Sequence, residues 1–313
     1  AFARTIETLR ALHGRAFTAV ACDKHPDYGS TRFAERCGVP IVAVQHHLAH
    51  VLACLLEHRQ SADDVLGVAW DGTGYGEDGT IWGGEFIALD QGVAERVAAL
   101  RRFRLPGGEA AIRDPRRVAL ALSFDESERD WHALARALGV GEAEARVLHT
   151  MLARGINAPI ATSAGRLFDA VGALLGLSAE NRYEGQTPLL VEAAASGQTA
   201  PAEWPLPVAV AEPGAGVRWE LDWRPLLAEL RVARARGEEP GALAAAFHHA
   251  IATGIVAVAE RVGASTVALT GGCFQNALLV QVAQRRLRAA GFRVLVPRLL
   301  PPNDGAIAAG QAL

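Results

Sequence analysis

The chain has 313 residues, half of them apolar and 21% charged, with 31 Lys and Arg against 34 Asp and Glu. That length allows one large domain or two lobes around a substantial core. A net charge of −3 argues against a broad nucleic-acid footprint, and no window is expected to reach the ~18 uncharged apolar residues of a membrane span.

Residues 5–12 read as a short amphipathic helix rather than a secretory signal, and the chain opens without Met, as a fragment of a longer protein would. Residues 19–22 predict a buried strand that ends in the turn-rich run 23–29. A helix over 30–37, capped by Ser30 or Thr31, a strand over 41–45 and a helix over His46–His58 follow. Residues 65–70 predict a third strand ending at Asp71. The glycine-rich stretch 72–84 then leads into strands over 85–89 and 97–104, a hairpin. Residues 115–177 are helical and alanine-rich with no strand, and 197–216 read as a surface connection. A strand over 217–221 and helices over 223–236 and 241–262 come next. The chain closes with a strand over 266–269, a Gly271-Gly272 turn, a helix over 274–290, a strand over 293–296 and a helix over 305–312. The sum is an α/β chain of two lobes, 1–110 and 111–313, with glycine-rich turns facing a shared cleft. Cys22, Cys37, Cys54 and Cys273 are scattered with no Cys-x-x-Cys, which predicts buried free thiols and a reducing cytoplasm.

The strongest local signal is Gln45-His46-His47-Leu48-Ala49-His50. His46 and His50 stand four apart, so a helix puts both imidazoles on one face, where they can hold one metal ion together. No Glu follows His46, which excludes the helical zinc-protease motif. The alternative is a set of histidines that cap the helix and make polar contacts in the core. Asp71, at a strand end before glycines, and Asp304, before Gly305 at the start of the last helix, complete a His2Asp2 set suited to Fe(II) or Zn(II). Each aspartate alone could equally be a turn or N-cap residue.

Gly72, Thr73, Gly74 and Gly76, followed by Gly83 and Gly84, can bring backbone N–H groups and a hydroxyl to phosphate oxygens. The pattern is neither a Walker A loop nor a Rossmann fingerprint, and a plain structural turn is the competing reading. Gly271 and Gly272 lead from strand to helix, where an anion or a flat ring can approach, and Asn276 offers an amide on the first turn. Tight strand–helix packing accounts for them as well. Asp169 is a lone acid in an apolar helical run, and the turn 181–186 carries Glu184 among other polar groups. His248 and His249 read as structural, and Arg101, Arg102, Arg104, Arg116 and Arg117 as solvated charges.

In this order, DKHPDYGST (23–31), VQHHLAH (44–50), AWDGTGYGEDGTIWGGEF (69–86), GRLFDAVGALLG (165–176), NRYEGQ (181–186), TGGCFQN (270–276) and PPNDGAIAAGQ (301–311) span nearly the whole chain. They resemble the C-terminal carbamoyl-transfer domain of the HypF family of hydrogenase maturation carbamoyltransferases. That domain is similar to the antibiotic O-carbamoyltransferases and the tRNA threonylcarbamoyladenosine synthases, all of the actin-like ATPase (ASKHA) fold. The resemblance implies that His46, His50, Asp71 and Asp304 ligate one divalent metal. It also implies that Gly72, Thr73, Gly74, Gly76 and Gly84 hold the nucleotide, with Gly172 and Glu184 in the same set. Asp169 would face the ribose, and Gly271, Gly272 and Asn276 the adenosine. The implied reaction moves a carbamoyl group from carbamoyl-adenylate, made with ATP, to the C-terminal cysteine thiol of HypE. The thiocarbamate product is a precursor of the cyanide ligands of the [NiFe] centre. His47 or His25 would shuttle the thiol proton.

Full-length members carry an acylphosphatase domain, zinc-finger motifs and a YrdC-like domain ahead of this one, so the chain alone is not expected to make the adenylate. The opening strands of the actin-like fold are expected to be cut off. Ala306 stands where the family tends to have a second Gly, and Lys24 replaces an apolar residue. Two alternatives share the same residues: an O-carbamoyltransferase acting on a small-molecule hydroxyl, and a non-catalytic nucleotide-binding scaffold. Neither nucleic acid nor membrane is an expected partner.

Overall fold

A computed structural model describes residues 2–14, 16–124 and 128–313. The chain begins with α1 (Phe2–His13), β1 (Val20–Asp23), α2 (Gly29–Ala34), β2 (Ile41–Val44) and α3 (His46–His58). β3 (Val65–Tyr75), β4 (Ile81–Asp90) and β5 (Val93–Leu100) form a meander. β6 (Phe103–Arg104) then leads into α4 (Glu109–Arg113), α5 (Pro115–Leu122), α6 (Glu128–Ala137) and α7 (Glu142–Arg154). β7 (Ile160–Ala161), α8 (Ala164–Leu174), α9 (Gln186–Ala195), β8 (Val208–Val210), β9 (Trp219–Leu221), α10 (Arg224–Ala235) and α11 (Pro240–Val262) follow. β10 (Thr266–Thr270), α12 (Ala277–Ala289), β11 (Arg293–Leu295) and α13 (Ile307–Gln311) close the chain, with 3-10 turns at Gly272–Gln275 and Asp304–Ala306.

β1 and β2 pair in parallel by themselves, and the other nine strands form one mixed sheet whose main path is β11-β10-β3-β4-β5-β9-β8. Strands on both sides of residue 110 therefore share a single sheet. The alternation in β3 places the site. Leu66, Val68 and Trp70 face the main core with residues of α8 and α11, while Val65 and Ala69 face Val51, Cys54 and Leu55 of α3. With both faces covered, the run is apolar throughout. Asp71 is next on the α3 side by the same period, so it emerges beside the first turn of that helix.

Several expectations change. β3 does not end at Asp71; its ladder with β4 shifts between Trp70 and Gly74 and then resumes through Tyr75. Ser30 and Thr31 lie inside α2, whose N-cap is Tyr28 with no side-chain cap. A short strand, β7, interrupts the helical region, and β8 lies within the expected surface connection, pairing with β9. The helix expected over 274–290 is split, because Asn276 caps α12 after the 3-10 turn. Helix α11 does reach the length and apolarity of a membrane span, but 72% of that window is buried inside the molecule. Cys22 and Cys54 are buried, whereas Cys37 and Cys273 are half-buried; all four are free.

His248 on α11 is fully buried and has partners that the sequence did not reveal. Its Nδ1–H donates to the Ala244 carbonyl (2.7 Å), so Nε2 accepts from the Asn276 amide (2.9 Å), whose oxygen caps Leu279 N. Burial pushes this imidazole down to about 4, and a proton on Nε2 would also oppose the Asn276 NH2. The folded state requires the neutral ring, while the unfolded chain takes up a proton near the ordinary value of 6.5. Stability present above pH 6.5 should therefore be lost between about pH 6.5 and 4, by about 3 kcal/mol from this group. Denaturant midpoints across that range, wild type beside His248→Gln, check this. The variant should show a shallower pH slope, and an equal slope would refute it.

Candidate metal centre and adjoining cavities

Helix α3 begins with Gln45, whose side-chain oxygen caps Leu48 N (2.9 Å), so the helix starts at His46 and presents His46 and His50 one turn apart. Both rings are buried at its first turns. β3 brings Asp71 to them, and the 3-10 turn after Asn303 brings Asp304. His50 Nε2 lies 3.0 Å from Asp71 Oδ2 and 3.5 Å from Asp304 Oδ1; His46 Nε2 lies 3.7 and 3.6 Å from the same two atoms. One ligand atom from each of the four residues falls within 4.8 Å of the others. Ligand atoms about 2.1 Å from a tetrahedral ion lie about 3.4 Å apart, so these spacings fit a divalent ion of the zinc or iron type.

A fifth residue, missed in the sequence, orients the set. Asp23, at the end of β1, accepts a hydrogen bond from His46 Nδ1 (2.8 Å), with both side chains buried. That makes Nε2 the nitrogen a metal would take in place of a proton, and among the described residues Nε2 has no hydrogen-bond partner. Asp23 also accepts from His25 N (2.8 Å), so the loop after β1 is folded around it.

In the metal-free chain the cluster balances charge. Burial opposes a charged imidazole, but Asp23, Asp304 and Asp71 outweigh it and push His46 up to about 12; the last two also raise His50. Asp71 stays far below the usual carboxylate range: burial opposes this, but His46 and His50 prevail. They also hold Asp304 at about 2. His47 is pushed the other way, by burial and by the charge on His46.

The cluster opens on a cavity of about 450 Å3 whose walls include Asp71, Gly72, Arg166, Glu184, Gly272 and Asp304. A second cavity of about 360 Å3 adjoins it and shares Arg166 and Glu184. Of the residues expected to hold a nucleotide, Gly72, Gly272 and Glu184 line the first cavity, and Thr73 and Glu184 line the second. Gly74 faces His47 and His46, Gly76 faces Trp82, Gly84 faces Thr162 and Leu100, and Gly172 faces Thr187 where α8 crosses α9. Gly271 (φ 95°) takes a conformation that favours glycine, and its Cα lies against the Trp70 backbone. Asp169 is fully buried, paired with Arg166 Nε (2.8 Å) and accepting from Asn181 (3.1 Å). Asn276 has both ends of its amide engaged within the protein.

Neither residue expected to shuttle a proton lines either cavity. His47 is fully buried against Gln45 (3.2 Å), because the residue after His46 on the helix turns inward. His25 stacks on Tyr28 at 4.2 Å.

The loop that carries Asp304 is fastened to α3 at both of its ends. Glu57, on the last turn of α3, accepts from Arg298 N (2.7 Å) and Leu300 N (2.9 Å). After Asp304, α13 packs on α3 so closely that a Cβ at Gly310 would fall far inside contact distance of the Ala49 carbonyl.

Comparison with known proteins adds matches to two family models, two relatives and one solved structure. Residues 1–57 match the family model described as HypF Kae1-like domain, and residues 67–311 the one described as carbamoyltransferase, Kae1-like domain, second subdomain. The carbamoyltransferase HypF of Synechocystis sp. is 38% identical over 326 residues, covering 100% of this chain and 42% of the relative. A HypF homolog of Cupriavidus necator is 38% identical, with 98% of this chain and 79% of the relative covered. A crystal structure of full-length HypF in the phosphate- and nucleotide-bound form superposes with a TM-score of 0.89 at 32% identity, covering 99% of this chain and 40% of that one. The chain thus spans about two fifths of the length of the Synechocystis relative.

Proposed function

The chain belongs to the HypF carbamoyltransferase family, and from that premise we propose that it moves a carbamoyl group from carbamoyl-adenylate to the C-terminal cysteine thiol of HypE. The observation that carries this reading is the His2Asp2 cluster opening directly on the first cavity. The sulfur bonds to the carbamoyl carbon, the bond from that carbon to the adenylate oxygen breaks, and AMP leaves. The thiocarbamate formed is the precursor of a cyanide ligand of [NiFe]-hydrogenase.

His46, His50, Asp71 and Asp304 would hold one Fe(II) or Zn(II), and such an ion supplies Lewis acidity toward a carbonyl or phosphate oxygen. Asp23 keeps His46 oriented. Gly72 and Gly272 let backbone come close to the ligand, and Arg166, buried at the cavity wall, places a fixed positive charge beside it.

The test supplies carbamoyl-adenylate directly to the purified chain with Zn(II) or Fe(II) and HypE. Mass spectrometry should find one carbamoyl group on the C-terminal cysteine, and none when Asp304→Ala replaces the wild type. An unmodified thiol after incubation with the metal-loaded wild type would overturn the reading.

A further inference from the structure

Group transfer needs two reactants side by side, and here two cavities share a wall made by Arg166 and Glu184. Thr73, two residues beyond Asp71 on β3, lines the second cavity with an unpartnered hydroxyl among the described residues. The rest of that cavity is braced before any ligand arrives. Asn181 N donates to the Arg113 carbonyl (2.7 Å), and its amide donates to the Ile112 carbonyl (2.9 Å), which ties the 181–184 turn to α4.

The charges along this cavity are sorted. Glu184 lies at the shared boundary, and Arg166 beside it is already paired with Asp169. Arg113 and Arg182 line only the second cavity. The Arg182 guanidinium makes no ion pair or hydrogen bond among the described residues. Arg113 pairs at 3.3 Å with Glu109, which lines the same cavity, but those side chains are 74% and 84% exposed, so the pair is weak and an incoming carboxylate can replace Glu109 on Arg113. An anion therefore finds its open partners away from the boundary, and Glu184 repels it at the boundary.

We propose that the second cavity is the acceptor site, and that Arg182, with Arg113, holds the free α-carboxylate of the acceptor's C-terminal residue; this rests on the carbamoyl-transfer reading. A C-terminal cysteine seated this way has its carboxylate on the arginines and its thiol turned toward the boundary, where the carbamoyl donor is held. The sulfur bonds to the carbamoyl carbon, AMP departs with the electron pair of the broken C–O bond, and the thiol proton is released to solvent. A residue beyond the cysteine would remove the carboxylate from the arginines, so the site selects an acceptor that ends at its cysteine.

Calorimetry on the AMP-saturated chain tests the site with a short peptide ending in cysteine and the same peptide amidated. The free acid should bind about tenfold or more tightly than the amide. Arg182→Ala and Arg113→Ala should each weaken the acid and leave the amide and AMP unchanged. Equal binding of acid and amide, undiminished binding by Arg182→Ala, or no binding of either peptide would overturn the proposal. A transfer assay with carbamoyl-adenylate separates the two ideas. Equal kcat/KM for acid and amide removes the carboxylate site while carbamoyl transfer stands. Selective binding of the acid with neither thiol carbamoylated supports the site and strikes the reaction.

Discussion

Replacing His46 with alanine should take the divalent metal bound by the purified chain from about one ion per molecule to none. The variant removes one of four ligands and leaves a buried gap opposite Asp71 and Asp304. Asp23→Asn is the sharper comparison. It keeps the volume but exchanges a carboxylate at Nδ1 for an amide, which holds the ring less firmly and lowers its basicity. Outer partners of this kind are worth about 10- to 100-fold in metal affinity. Competition against a chelator of known affinity, with Zn(II) as the probe, should give that loss for Asp23→Asn and no measurable binding for His46→Ala. Wild-type affinity in Asp23→Asn would show that the Asp23–His46 hydrogen bond serves packing alone. Metal retained by His46→Ala would dismiss the four-residue site.

Gly310→Ala should be nearly as damaging, although it lies six residues beyond Asp304 and carries no chemistry. The obstacle a methyl group meets is the Ala49 backbone of α3, which has no rotamer to change. Overpacking a core costs about 1–3 kcal/mol where side chains can give way, so about 3 kcal/mol or more is expected here. Because α13 holds Asp304 against the histidines, metal affinity should fall with stability. Denaturant unfolding with and without Zn(II) reads both. A variant with wild-type midpoint and affinity would mean that α13 does not dock on α3 in this way.

The site was legible where local chemistry and helical period agree. Helix α3 runs from His46 to His58 as its pattern predicts, because Gln45 supplies the cap and the apolar face meets β3 and β10. Asp71 was legible as an aspartate beside glycines late in a buried strand, although the ladder continues past the point where those glycines suggested an end. Asp23 was missed because nothing in its own segment links it to a histidine 23 residues later; only the parallel pairing of β1 with β2 does so. The glycine run was ambiguous for a different reason. A glycine permits close approach, and a sequence does not say whether a phosphate or the protein approaches. Gly72 meets the cavity, while Gly74, Gly76 and Gly84 meet His47, Trp82 and Thr162. Asn276 likewise offers an amide on paper, but the buried His248 that engages it sits 28 residues earlier on another helix.

The docking of the last helix on α3 also sets an order of events during synthesis. His46, His50 and Asp71 leave the ribosome long before Asp304 and α13. Domains begin to fold as the chain appears, so the meander β3–β5 can pair while the fourth ligand is still untranslated. A nascent or prematurely ended chain would then present two histidines and one aspartate without the segment that closes them together. Binding of an ion at all four positions would mark a chain that has been made at least through Asp304 and α13.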